Sequence, residues 1–293
     1  MQTETVLLNG QPFFLRRWGD PELPVLLLLH GFPEFSGAWE DIAPLLAQHF
    51  HCVAPDQRGF GQSWSPSGVA EYTGSKLVGD MSALITHLGR GPVTVFGHDW
   101  GAAVAYGLAM FAAPQVDRLI IANGVHPVPF QRALAAGGAQ SEASQYMDYL
   151  RRPDSHDRLG AEDYAGLMAL FSAKMDLGWL QGARLDAYKT AWSHGGGRLE
   201  TMTNWYRASP MQIAKPGAPI EMPQMDLDRL RIRCPHLLLW GPGDTALLPE
   251  TTEGLEAFAP DLTRVTVPDT DHWLIHQKPD AVAQAILSWE ALS

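Results

Sequence analysis

Asp99 stands in the pentapeptide Gly97-His98-Asp99-Trp100-Gly101, between the apolar run VTVFG at 93–97 and an Ala-rich stretch at 100–112. The pattern predicts a strand, a tight turn and a helix. Small residues flank the turn because bulk there would clash, and the helix N-terminus behind it favours a carboxylate. Two residues of complementary type follow later. Asp244 comes after the run HLLLW at 236–240, and His272 comes after RVTVP at 264–268. A histidine oriented by a carboxylate is an arrangement that activates water. Upstream, VLLLL at 25–29 ends in His30-Gly31-Phe32-Pro33. The backbone N–H groups of Phe32 and Trp100 are positioned in sequence to hold an oxyanion. The Phe32-Pro33 bond is of the type that can adopt cis.

The nucleophile's chemistry narrows the reaction. A serine attacking saturated carbon would leave an ether, which the protein could not cleave. A carboxylate attacking the same carbon leaves an ester, which water can cleave. Asp99 therefore points to displacement at an sp³ carbon, as in epoxides or alkyl halides. An ordinary Asp is ionised at neutral pH and needs no base to activate it. His272 is thus assigned to the second step, deprotonating the water that attacks the ester, with Asp244 orienting the imidazole.

These residues need a scaffold that brings distant strand ends together. The runs at 25–29, 52–56, 93–97, 119–123, 236–240 and 264–268 have strand character. Stretches of helical character separate them at 39–46, 77–88, 100–112, 249–258 and from Pro279 onward. That alternation predicts an α/β fold with a mostly parallel sheet flanked by helices. Every candidate follows a strand end, where ligands bind in such sheets. From about 126 to 215 no strand is evident. Helical stretches are expected near 141–152, 161–176 and 198–208, with a loop at Gly195–Gly197. The expectation is a discontinuous main domain, 1–126 and 216–293, with an inserted helical cap at 127–215.

GHDWG, HGFPE at 30–34, DQRGFGQS at 56–63, NWYR at 204–207 and the late Asp and His together resemble the epoxide hydrolase family of the α/β-hydrolase fold. The resemblance spans nearly the whole chain and keeps the order nucleophile, acid, histidine. It implies a small apolar epoxide and water as substrates, with no metal or organic cofactor. It implies two cap tyrosines as proton donors to the opening ring: Tyr206 in NWYR, and Tyr146 in QYMDYLRRP with Tyr149 close behind. It also implies a role for Glu34 in positioning water, beside the plainer role of a loop residue with a local hydrogen bond. Asp271, before His272, departs from the glycine common in relatives. A haloalkane or haloacid dehalogenase with the same nucleophile is the nearest alternative. It is weakened by Phe32 where a polar residue is usual in haloalkane dehalogenases, and by Trp100 where haloacetate dehalogenases place Arg. A non-catalytic ligand-binding relative is the alternative from another class.

Composition agrees with a globular hydrolase. The 293 residues are 46% hydrophobic and 18% charged, enough for a sizeable core. A net charge of -11 argues against nucleic acid and anionic membrane as partners. The N-terminus shows no signal-peptide pattern and no apolar run is long enough to span a bilayer, so a cytoplasmic protein is expected. A homodimer is compatible with the sequence. Cys52 and Cys234 are expected as free buried thiols. His49 and His51 lack further ligands for zinc. Gly89 and Gly91 build no dinucleotide fingerprint. His98 is expected to pack beside the nucleophile. His276 competes with His272 for the base role, and His272 is preferred as nearer the strand end.

Overall fold

The computed structural model describes residues 1–172 and 174–291. Eight strands form one sheet: β1 (Gln2–Leu8), β2 (Gln11–Trp18), β3 (Val25–Leu29), β4 (His51–Pro55), β5 (Val93–His98), β6 (Val116–Ala122), β7 (His236–Trp240) and β8 (Leu262–Thr266). Their order is β1-β2-β4-β3-β5-β6-β7-β8. β2 runs antiparallel to β1 and β4, and the remaining pairs are parallel.

The apolar runs of the central strands are continuous because both faces are covered. Side chains alternate across a strand. Val25, Leu27 and Leu29 of β3 join one core cluster, and Leu26 and Leu28 join the other. β6 divides the same way, with Leu119 and Ile121 opposite Ile120 and Ala122. Each such buried Val, Leu or Ile side chain contributes roughly 1.5–3 kcal/mol.

The helices are α1 (Ala43–Leu46), α2 (Gly74–Leu88), α3 (Trp100–Phe111), α4 (Pro127–Ala135), α5 (Ala139–Ala143), α6 (Gln145–Leu150), α7 (Ser155–Ser172), α8 (Ala183–Ser193), α9 (Leu199–Ala208), α10 (Leu274–Gln277) and α11 (Pro279–Glu290). Between β6 and β7 the described residues hold helices α4 to α9 and no named strand. No helix among them is long and apolar enough to cross a membrane.

Several local expectations are corrected. The helix expected over 39–46 is a 3₁₀ turn at Ser36–Trp39 and the short α1, because Pro44 opens α1 and cannot donate to a preceding turn. The helix expected over 249–258 is two 3₁₀ turns separated at Gly254, whose φ is +74°. The stretch expected as one helix at 141–152 divides into α5 and α6. The one expected at 161–176 is α7, which starts earlier and is broken at Ala161–Tyr164. The β1–β2 hairpin and α8 were not anticipated. The hairpin had a readable signal, Asn9-Gly10, whose φ values of +51° and +79° suit a two-residue turn. Cys52 and Cys234 are both free, and burial pushes the Cys52 thiol up to about 12.

Candidate active site

Asp99 sits between β5 and α3 with φ +50° and ψ −120°, a conformation unfavourable for a residue with a side chain. Close backbone packing holds it there. A Cβ on Gly101 would lie 2.0 Å from the Leu29 carbonyl oxygen. One on Gly31 would lie 2.4 Å from Asp99 Cβ. The glycines let the loop after β3 press against the turn. As a result the Phe32 backbone N–H donates to Asp99 Oδ1 at 2.7 Å. The Phe32-Pro33 bond is cis. Trp100 opens α3, where backbone N–H groups lack helical partners.

His272 lies at the end of the β8 loop. Its Nδ1 is 2.7 Å from Asp244 Oδ2, and its Nε2 is 3.6 Å from Asp99 Oδ2. Burial alone would lower its pKa, but the Asp244 and Asp99 carboxylates outweigh it and raise the imidazole well above its ordinary range. For Asp244, burial raises the pKa. The His272 charge and hydrogen bond, with donors from Asn123 and Leu247, bring it below the usual carboxylate value.

Asn123, at the end of β6, escaped sequence reasoning. Its Nδ2 donates to Asp244 Oδ2 at 2.7 Å, and its Oδ1 accepts from the Gly241 N–H at 2.7 Å. The available signal was weak: a polar residue directly after a buried strand.

Behind His272 lies a buried polar cluster. Glu34 accepts from His98 Nδ1 at 3.1 Å, His276 Nε2 at 2.7 Å and the Tyr188 hydroxyl at 2.9 Å. Burial would raise the Glu34 pKa, yet these partners hold it well below the usual range. His98 Nε2 meets the His272 carbonyl oxygen at 2.8 Å. His98 is therefore hydrogen-bonded at both nitrogens, more than the packing residue expected. His276 engages Glu34 and stacks on Trp179, with ring centroids 3.6 Å apart. No hydrogen bond joins it to Asp99 among the described residues. Asp271 accepts from the Asp176 and Trp273 backbone N–H groups and ties the segment after α7 to the histidine loop.

Two cavities meet at Asp99. The smaller, about 330 Å³, is lined by Phe32, His272 and Trp273 among others. The larger, about 630 Å³, runs past Trp100 along α3. Tyr146 and Tyr206 line both. Their rings meet edge to face with centroids 6.2 Å apart, and the Tyr206 ring packs edge to face on Trp100 at 5.0 Å. Burial, aided by the Asp99 charge, pushes both phenols up, so they stay protonated. Tyr149, half-buried, lines neither cavity. Among the described residues no group of three or more His, Cys, Asp or Glu side chains is placed to hold a metal.

A mostly parallel sheet, a nucleophile-type turn after β5, and acid and histidine after later strands define a protein of the α/β-hydrolase class. Residues 24–279 match the family model described as alpha/beta hydrolase fold. The chain belongs to this family and, within it, to the epoxide hydrolases. It is 31% identical to the AB hydrolase superfamily protein YfhM of Bacillus subtilis, over 99% of this chain and 98% of that protein. A solved structure described among novel epoxide hydrolases in metagenomes from hot environments is 36% identical. It has a TM-score of 0.88 and covers 98% of this chain and 97% of that one. Epoxide hydrolase 1 of Caenorhabditis elegans is 29% identical over 92% of this chain, which spans 65% of that protein's length.

Proposed function

We propose that this protein hydrolyses an epoxide to a vicinal diol through an ester on Asp99. Asp99 attacks one ring carbon, the carbon–oxygen bond breaks, and the ring oxygen takes a proton from Tyr146 or Tyr206. His272 then removes a proton from water, and the hydroxide attacks the ester carbonyl. The N–H groups of Phe32 and Trp100 hold the tetrahedral oxyanion, at roughly 3–4 kcal/mol per donor. Collapse expels the alkoxide, which takes back the proton held by His272 to give the diol, and the proton gained at Asp99 restores the tyrosine. Asp244 orients His272 and stabilises its charged form. Glu34 acts as a positioning residue through His98 and the His272 carbonyl. Residues 127–215 form a cap on the main domain of 1–126 and 216–293.

The observation that carries this reading is that Tyr146 and Tyr206 line the same two cavities as Asp99. Paired O–H donors suit a developing alkoxide. A departing halide wants N–H donors, and the side chain packed on Trp100 here is Tyr206, a further O–H donor. The family relationship and the names of the relatives support the same choice. Single turnover of styrene oxide in ¹⁸O water tests the ester route. Label is expected in the Asp99 carboxyl, and label confined to the diol overturns the route.

A further inference from the structure

We infer that Arg151 and Arg207 form a reciprocal clasp between α6 and α9 that sets the spacing of Tyr146 and Tyr206 for ring opening. The inference rests on the epoxide reading and adds the device that holds its two proton donors together. Both arginines are positioning residues and line neither cavity at Asp99.

Tyr146 lies on α6 and Tyr206 on α9. The two helices exchange arginines at their C-terminal ends. Arg151, directly after α6, donates from Nε to the Tyr206 carbonyl at 3.1 Å. Its Nη2 donates to the Met211 carbonyl at 2.7 Å and, more weakly, to the Ser209 carbonyl at 3.5 Å. Arg207, in the last turn of α9, reaches the other way. Its Nη2 donates to the Arg152 and Pro153 carbonyls just beyond α6, at 2.9 and 3.4 Å, and to the Ser155 hydroxyl at 3.2 Å. Carbonyls at a helix C-terminus lack helical partners and carry the negative end of the dipole, so a guanidinium fork suits them. Each arginine is also held from its own helix, Arg151 by Asp148 at 3.2 Å and Arg207 by Asn204 at 2.8 Å. Both side chains are half-buried and fixed at each end.

α9 is itself docked on the loop after β4. Arg198 Nε donates to the Gly61 carbonyl at 2.9 Å, Thr201 Oγ1 to that of Gly59 at 2.7 Å, and Trp205 Nε1 to that of Arg58 at 3.0 Å. α6 has six residues, less than two turns, too few to fix its own direction. The clasp therefore refers α6 to the frame that already holds α9. Two phenols that meet one ring oxygen need that spacing kept, since a displacement of about 1 Å can cost on the order of 10²-fold in rate.

The test is pre-steady-state kinetics with styrene oxide, following alkylation and ester hydrolysis separately. Arg151→Gln and Arg207→Gln are each expected to slow alkylation about 5- to 20-fold and to leave ester hydrolysis unchanged. Arg151→Lys, a point charge in place of a fork, should retain part of the rate, and it carries the comparison if Arg151→Gln does not fold. In a Tyr146→Phe background the Arg151→Gln loss should shrink, because there is no longer a pair to space. Equal slowing of both steps, or the same loss with and without Tyr146, overturns the proposal and leaves the arginines a structural role only. Hydrogen exchange separates the clasp from the underlying reading. Arg207→Gln is expected to speed exchange of the α6 amides, and Arg151→Gln that of the α9 amides. Those cross-effects without turnover of any epoxide by the wild type uphold the tie between the helices and sink the epoxide reaction. Turnover of styrene oxide with alkylation untouched in both arginine variants sinks the clasp alone.

Discussion

Nε2 of His272 stands 3.6 Å from Oδ2 of Asp99. Two carboxylates therefore face one imidazole, and together they hold it charged despite its burial. In the proposed mechanism an ester on Asp99 would remove one of the two charges, lower the His272 pKa and make the imidazole a competent base only after the first step. The smaller cavity, lined by both Asp99 and His272, has space for an attacking water.

His272→Gln follows directly as a test. The variant is expected to alkylate normally and to hydrolyse the ester about 10²–10⁴-fold more slowly. Intact-protein mass spectrometry should show a stoichiometric adduct on the peptide carrying Asp99. Absence of the adduct, with steady turnover unchanged, would rule out the role.

The tyrosine pair should behave as one unit, because both residues line the same two cavities with Asp99 and their rings meet edge to face. Tyr146→Phe and Tyr206→Phe are each expected to slow alkylation about 10–100-fold. The double variant should lose less than the product of the two losses, so a double-mutant cycle gives a coupling energy different from zero. Pre-steady-state quenching of Trp fluorescence can follow the step. Strict additivity would show that the two act independently.

Asn123→Ala removes a donor to Asp244 and an acceptor of the Gly241 N–H. Each lost buried bond costs about 1–3 kcal/mol. Thermal unfolding should therefore move to lower temperature, and kcat should fall roughly tenfold with little change in KM. Loss of KM alone would place Asn123 on the substrate rather than on the triad.

Acid should weaken the fold at a site remote from the chemistry. Burial lowers His126 to about 4 and His236 to about 3. Both histidines bind protons more readily unfolded than folded, so their stabilisation is complete above about pH 6.5. It is lost as pH falls from there toward 4, at up to ~1.4 kcal/mol per pH unit for each. Urea unfolding between pH 7.5 and 4.5 measures the slope. His236→Leu should flatten it, and an unchanged slope would refute the assignment.

Much of this site was legible before any fold was known. Asp99, Asp244 and His272 each follow an apolar strand, and strand ends announce themselves through β-rich runs and the glycines beside them. Phe32 was legible for the same reason. Asn123 and the Glu34 cluster were not, since their partners lie 121, 64 and 242 residues away. Nothing local distinguishes Asn123 from any polar residue leaving a strand. Where local prediction failed, local competition explains it, as with Pro44 and Gly254 in the stretches expected as helices.

Sequence alone narrowed the expected chemistry, because a carboxylate at the turn suits displacement at an sp³ carbon, in an epoxide or an alkyl halide, through an ester that water can cleave. It also determined the layered α/β architecture, through strand and helix periodicities that each segment carries by itself. Tertiary structure alone decided that Tyr146 and not Tyr149 lines the cavities with Tyr206, and that the Asp99 and Asp244 carboxylates both face the His272 imidazole. Those properties depend on distances between segments far apart in the chain, set by packing across the sheet and the helices between β6 and β7.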